Sequence, residues 1–206
     1  MATDWRKENF EGMAQLLGYL TDKPKLQKYR EYCGYSEKGH RREALHAIKA
    51  FLKETATWDF QERKEFVDWI MWVHHGLPEV QGLLPSAMYL ELIEPTLSEW
   101  MANEPKHSGP YRWSGGEENL RKAIALDKLD GIAIMKFGKM ILNATNYSLH
   151  ELPETYLGEP QEDSDDLEEA LGYLSGALGD PGKDALMESL KANADRIRKW
   201  ILKIEE

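Results

Sequence analysis

The chain has 206 residues, 42% of them hydrophobic and 10% aromatic, enough to bury a core without metal or disulfide staples. Its 36 acidic and 26 basic side chains leave a formal charge of −10, a balance that repels nucleic acid and anionic membrane and favours a cationic partner. Cys33 is the only cysteine, which excludes an intramolecular disulfide and a multi-cysteine zinc site, and its neighbours Tyr32 and Tyr35 suit a buried structural thiol. No run of about 18 apolar residues is present for a membrane span, and residues 1–10 carry charges where a secretory signal needs an apolar stretch, so cytoplasmic residence is expected.

Apolar residues recur at helical spacing along nearly the whole chain and no period-two alternation competes, so the expected fold is all-α, in a single domain 1–206. The first 35 residues supply one or two helices, one of them with Phe10, Met13, Leu16, Leu17 and Leu20 along a stripe. A helix over 42–54 follows, with Leu45, Ile48, Phe51, Leu52 and Thr55 facing inward. Asp59 and Glu62 then form a capping box, opening a helix that buries Phe66, Trp69, Ile70 and Val73 and ends at Gly76 and Pro78; Trp72 falls off its apolar face. Over 86–102, Leu90, Ile93, Leu97, Trp100 and Met101 face inward, and Pro95 must kink or divide the helix.

Ser114 and Glu117 read as a second capping box, for a helix through Leu120, Ala123 and Ile124 to Leu126. After a turn at 127–130, a helix over 129–144 buries Ala133, Phe137, Met140, Ile141 and Ala144. Asp163 or Ser164 caps the next helix, whose inner face is Leu167, Ala170, Leu171, Leu174 and Leu178. Asp180 and Pro181 open the last one, with Leu186, Leu190, Ala194, Ile197, Ile201 and Ile204 inward. About eight or nine helices with short connections describe an antiparallel helical array.

His75-Gly76-Leu77-Pro78-Glu79 is echoed by His150-Glu151-Leu152-Pro153-Glu154 at an offset of 75 residues, and the same offset aligns Glu43-Ala44-Leu45 with Glu118-Asn119-Leu120. This points to an internal duplication of 40–100 and 115–180, with a chance match of two short segments as the alternative. Residues 123–130, Ala-Ile-Ala-Leu-Asp-Lys-Leu-Asp, resemble the junction of tetratricopeptide repeats, where a helix ends in a Leu-Asp-Pro-x-Asp turn, with Lys128 in place of the usual Pro. The resemblance implies a tetratricopeptide-like α-α superhelix and a protein-binding role.

Chemistry-bearing motifs are sparse. Six histidines are present, but His74 and His75 are adjacent and His40 and His46 are six apart, so neither pair has the i, i+4 spacing of a helical zinc site. Glu43-Ala44-Leu45-His46 has the Glu-x-x-His spacing of di-iron bundles, and its only second copy, Glu104-Pro105-Lys106-His107, contains proline. No nucleophile elbow, phosphate loop or dinucleotide fingerprint occurs, so no catalytic residue, metal or cofactor is expected. The loop Tyr111, Arg112, Trp113 combines the residue types that most often anchor interfaces and is a candidate contact, unless it packs back onto the fold.

The charge is concentrated. Glu151, Glu154, Glu159, Glu162, Asp163, Asp165, Asp166, Glu168, Glu169 and Asp180 lie between Met140 and Gly182, where there is no Lys and no Arg, and the rest of the chain is balanced. A solvated helix face explains acids but not the total absence of bases, because ordinary helix faces mix both signs. The expected role is therefore non-enzymatic binding of a basic protein through Glu151 to Glu169, by a monomer or weak dimer. A small acidic helical chain is similar in type to the immunity proteins that neutralise bacterial toxins, so an antitoxin is the first expectation. A peptide-binding adaptor comes second, and a metal-dependent enzyme using His46, His74 or His75 third.

Overall fold

A computed structural model describes residues 7–77, 80, 82–177 and 182–205. Among these residues there are helices and no strands. They form two compact units, 1–105 and 106–206, each described by itself. The expectations at Pro78, Glu79, Leu178, Asp180 and Pro181, and that for the Phe10 side chain, fall outside the described residues.

The first unit contains α1 (Lys7–Tyr19), a 3₁₀ turn (Pro24–Leu26), α2 (Gln27–Glu37), α3 (Arg41–Thr55), α4 (Phe60–Gly76), α5 (Ser86–Met88), a π-helical turn (Tyr89–Ile93) and α6 (Glu94–Asn103). α2 packs against α1 and α3, and α4 against α6. The fully buried Phe51 of α3 is the hub of an aromatic cluster, with ring centroids 5.4 Å from Tyr29, 5.2 Å from Phe66 and 5.7 Å from Trp58. Cys33 is buried beside this cluster, and burial pushes its thiol up to about 12, so it is an inert packing group at neutral pH. Tyr29 satisfies its buried hydroxyl by donating to the Leu83 carbonyl at 2.7 Å.

The capping box at α4 forms as expected: the Glu62 N–H donates to Asp59 Oδ1 at 2.9 Å, and the Asp59 N–H donates to Glu62 Oε2 at 3.1 Å. Two apolar residues expected inside are outside. Leu45 is 50% exposed, because the buried stripe of α3 runs through Ala44, Ala47, Ile48, Phe51, Leu52 and Thr55. Leu90 is 63% exposed, and Pro95 explains it. Proline has no N–H to donate, and the turn before it widens so that the Glu94 N–H bonds the Tyr89 carbonyl, five residues back. The additional residue in that turn rotates the preceding positions about 100° around the axis. Ile93 is buried as expected, and Met88 and Leu92 are buried in place of Leu90.

The second unit contains α7 (Ser108–Ser114), α8 (Glu117–Leu126), α9 (Gly131–Ser148), α10 (Pro160–Gly176) and α11 (Lys183–Glu205). α9 is its central element, packing against α8, α10 and α11, and it buries Ile134, Met135 and Thr145 in addition to Ala133, Phe137 and Ile141. Met140 is only half-buried and Ala144 is exposed, contrary to expectation. On α11, Leu186, Leu190 and Ile197 are buried as expected, whereas Ile204 is 60% exposed. The buried Asn193 of α11 instead donates to Thr145 Oγ1 at 3.0 Å and Asn146 Oδ1 at 2.8 Å, tying α11 to α9.

Joining α5 and α6 through the π turn gives ten helices among the described residues, beyond the eight or nine expected, because α7 stands where a loop was read. The expected Ser114–Glu117 capping box does not form. Ser114 ends α7, and Gly115 and Gly116 reverse the chain at φ of 67° and 77°, a region costly for any residue with a Cβ, so Gly116 is the residue before α8. The second Leu-Pro-Glu segment lies in the connection after α9 and not in a helical first turn, since α10 starts only at Pro160. α10 also starts earlier than Asp163 or Ser164 would place it, with Glu159 before it and Pro160 at its first position.

Candidate functional site

The acidic segment occupies the connection from α9 to α10 and the outer part of α10. The connection folds back on α9: the Leu157 N–H donates to the Ser148 carbonyl at 3.1 Å. Gly158 is required there, because a Cβ would stand 2.6 Å from Ser148 Oγ and 2.7 Å from Asp163 Oδ2. Tyr156 donates its hydroxyl to Asp163 Oδ2 at 2.5 Å and stacks on Trp200 of α11 with centroids 6.4 Å apart. Burial and this bond to a carboxylate push the Tyr156 phenol well above its ordinary value.

The expected carboxylates separate into two groups. Asp163, Asp166 and Glu169 are half-buried and partnered. Arg121 of α8 reaches Asp166 Oδ1 at 2.6 Å and pairs with Glu169, while its guanidinium lies 4.8 Å from the Phe137 ring centroid. Tyr173 donates to Glu169 Oε1 at 2.5 Å and packs edge-on against Phe137. Asp166 and Glu169 therefore hold α10 to α8 through Arg121, and Asp163 holds the start of α10 to the returning connection through Tyr156. Arg121 was not singled out in the sequence reading, because it lies outside the lysine-free stretch it partly neutralises.

Glu151, Glu154, Glu159, Glu162, Asp165 and Glu168 are exposed. Glu151 lies 2.7 Å from His150 Nδ1, and Asp165 accepts from the Gln161 amide at 2.8 Å. Among the described residues Glu154, Glu159, Glu162, Asp165 and Glu168 have no ion-pair partner. Glu162, Asp165 and Glu168 follow at intervals of three on the exposed face of α10, where like charges disfavour a helix by about 0.2–0.5 kcal/mol per neighbouring pair. The α10 dipole offsets this for Glu162 in its first turn, but its influence fades before Asp165 and Glu168. Beside these acids two large apolar side chains face water: Tyr147, 70% exposed at the end of α9, and Leu157, 42% exposed. The sequence signal for Tyr147 was its place past the apolar stripe of α9, just before the first acids of the segment.

Tyr111, Arg112 and Trp113 are not an exposed loop. They form α7, and Tyr111 and Trp113 are 4% and 3% exposed, because aromatics of this size beside α8 and α9 fill core space. Arg112 Nη1 pairs with Asp130 Oδ2 at 3.0 Å, and its guanidinium lies 4.5 Å from the Trp113 centroid. Asp130 also caps α9, accepting from the Ala133 N–H at 3.0 Å. Lys136 donates to the Arg112 carbonyl at 3.1 Å and lies 4.7 Å from the Trp113 centroid. Burial, with the neighbouring Arg112 charge adding to it and Asp130 opposing it, lowers Lys136 to about 8. The unfolded chain then binds more protons than the folded one between about pH 8 and 10, so this group's contribution makes stability rise with pH across that window. A ¹³Cε titration of Lys136 should show a midpoint near 8; a midpoint near that of an ordinary lysine, about 10.4, would contradict the burial.

His46 is exposed on α3, while His74 and His75 are half-buried in the last turn of α4. Among the described residues no group of three or more His, Cys, Asp or Glu side chains is placed to hold a metal ion. No described helix is long and apolar enough to cross a membrane. Compared with protein-family models, curated proteins and solved structures, the chain matches none.

Proposed function

We propose that the chain is a non-enzymatic binding protein that takes a basic protein partner onto the second unit, with Tyr147 and Leu157 as apolar anchors among Glu151, Glu154, Glu159, Glu162, Asp165 and Glu168. An aromatic anchor bordered by charge is the usual anatomy of a protein interface, and the charge favours encounter with a cationic surface. The observation that carries the reading is the division of the acidic segment. Its half-buried members are satisfied by Arg121, Tyr156 and Tyr173, whereas its exposed members repel one another along α10 with no Lys or Arg paired to them among the described residues. A basic partner removes that repulsion. Neutralisation of a basic toxin, as by an immunity protein, is the role this chemistry suits. The architectural half of the proposal is a tetratricopeptide-like pairing of α8 with α9, supported by the packing of the two helices and the Asp130 cap that starts the second.

Affinity capture with two baits tests this. The wild-type chain should retain a basic protein from native lysate, and Glu159→Gln/Glu162→Gln/Asp165→Asn/Glu168→Gln should lose it. Asp163, Asp166 and Glu169 are left intact because they hold the fold. Equal retention of the same protein by both baits would refute the acidic face as the interface.

A further inference from the structure

The first unit contains a groove open to solvent, of about 450 Å³, between the 3₁₀ turn and α4, within the roughly 300–1,000 Å³ range typical of small-ligand sites. Trp58, Trp69 and the largely buried Phe66 line it together with Lys23, Lys25, Glu62 and Glu65. The rings are inclined to one another: Trp58 and Phe66 meet at 76° with centroids 5.8 Å apart, and Phe66 and Trp69 at 47° and 5.9 Å. Two ammonium groups of the chain itself already use this lining. Lys23 Nζ lies 4.9 Å from the Trp69 centroid, and Lys25 pairs with Glu62. Both lysines are exposed, so water competes for each ammonium.

We propose that this groove is a binding site for a quaternary ammonium ion of the choline class, which displaces Lys23 from Trp69 and is held by the half-buried Trp58 and Trp69 over the buried Phe66 ring. An alkylated ammonium is the better occupant for physical reasons. It has no N–H to satisfy, it gives up less hydration than a primary ammonium on entering an apolar site, and its methyl groups fill the space between inclined rings. Glu65 supplies a counter-charge, and Glu62 supplies another while its second oxygen remains in the α4 capping box. The lysines act as internal competitors for the same faces.

Titration of the indole N–H resonances with choline, with tetramethylammonium and with the neutral isostere 3,3-dimethylbutanol tests the proposal. Both cations should bind saturably at the Trp58 and Trp69 resonances, with the alcohol at least about tenfold weaker. Trp69→Leu, which keeps an apolar wall, should weaken choline at least about tenfold, and Lys23→Ala should tighten it several-fold. Trimethyl-lysine run beside choline identifies the source, a side-chain-borne or a free headgroup, by which of them binds more tightly. Equal binding of choline and the alcohol, unchanged binding by a folded Trp69→Leu protein, or no effect of Lys23→Ala would each overturn it.

Discussion

Phe51→Ala is expected to destabilise the first unit by about 3–5 kcal/mol, as removal of a fully buried phenylalanine does when its surroundings cannot collapse. The surroundings here are rings. Tyr29, Phe66 and Trp58 meet Phe51 from α2, α4 and the connection before α4, and each is held elsewhere. Tyr29 is fixed by its hydrogen bond to Leu83, and the Trp58 carbonyl accepts from Arg63 at 2.6 Å. Against a typical total stability of about 5–15 kcal/mol, the loss leaves the unit marginal. Urea denaturation, with amide exchange in α3 as the local readout, measures it. A change under about 1 kcal/mol would show that the rings repack and that Phe51 is not the hub.

Asp130→Ala should act on a comparable scale in the second unit, by about 3–5 kcal/mol. The carboxylate is almost wholly buried and does two things: it starts α9 through the Ala133 N–H and faces the Arg112 guanidinium. Alanine removes both and leaves Arg112 and Lys136 without the anion that opposes their repulsion. Asp130→Asn keeps an acceptor for the cap and loses only the charge, so it should fall between wild type and alanine. Both variants should move the Lys136 titration midpoint below 8, because the Asp130 charge raises it. Thermal unfolding with the ¹³Cε titration reads stability and charge separately. An unmoved midpoint would mean that Asp130 does not face Lys136.

What could be read from the sequence was what depends on neighbours in the chain. Asp59 and Glu62 are three residues apart with an apolar helix behind them, and that local pattern suffices for the capping box. Ser114 and Glu117 have the same spacing but fail, because Gly115 and Gly116 take positive φ and place Ser114 on the preceding helix. Leu90 looked inward on a continuous 3.6-residue count, and one widened turn before Pro95 rotated it to the surface. Tyr111 and Trp113 had the composition of an interface and the burial of a core, a distinction made by α8 and α9 and not by the residues themselves. The acidic segment was visible at once as a run of charge. Its division into a supporting half and an outward half was not, because Arg121, which neutralises Asp166 and Glu169, comes from another helix.

The most direct measurement is the association rate with the captured basic partner, taken from about 0.05 to 0.5 M salt, over which the Debye length shortens from about 14 to 4 Å. The wild-type chain should associate fast at low salt and slow steeply as salt rises, and Tyr147→Ala should leave that slope in place while speeding dissociation. Glu159→Gln/Glu162→Gln/Asp165→Asn/Glu168→Gln should associate at least about tenfold more slowly at low salt, with a nearly flat salt dependence. A folded quadruple variant with the wild-type rate and the wild-type slope would contradict the claim that the outward carboxylates of α10 bring the partner in.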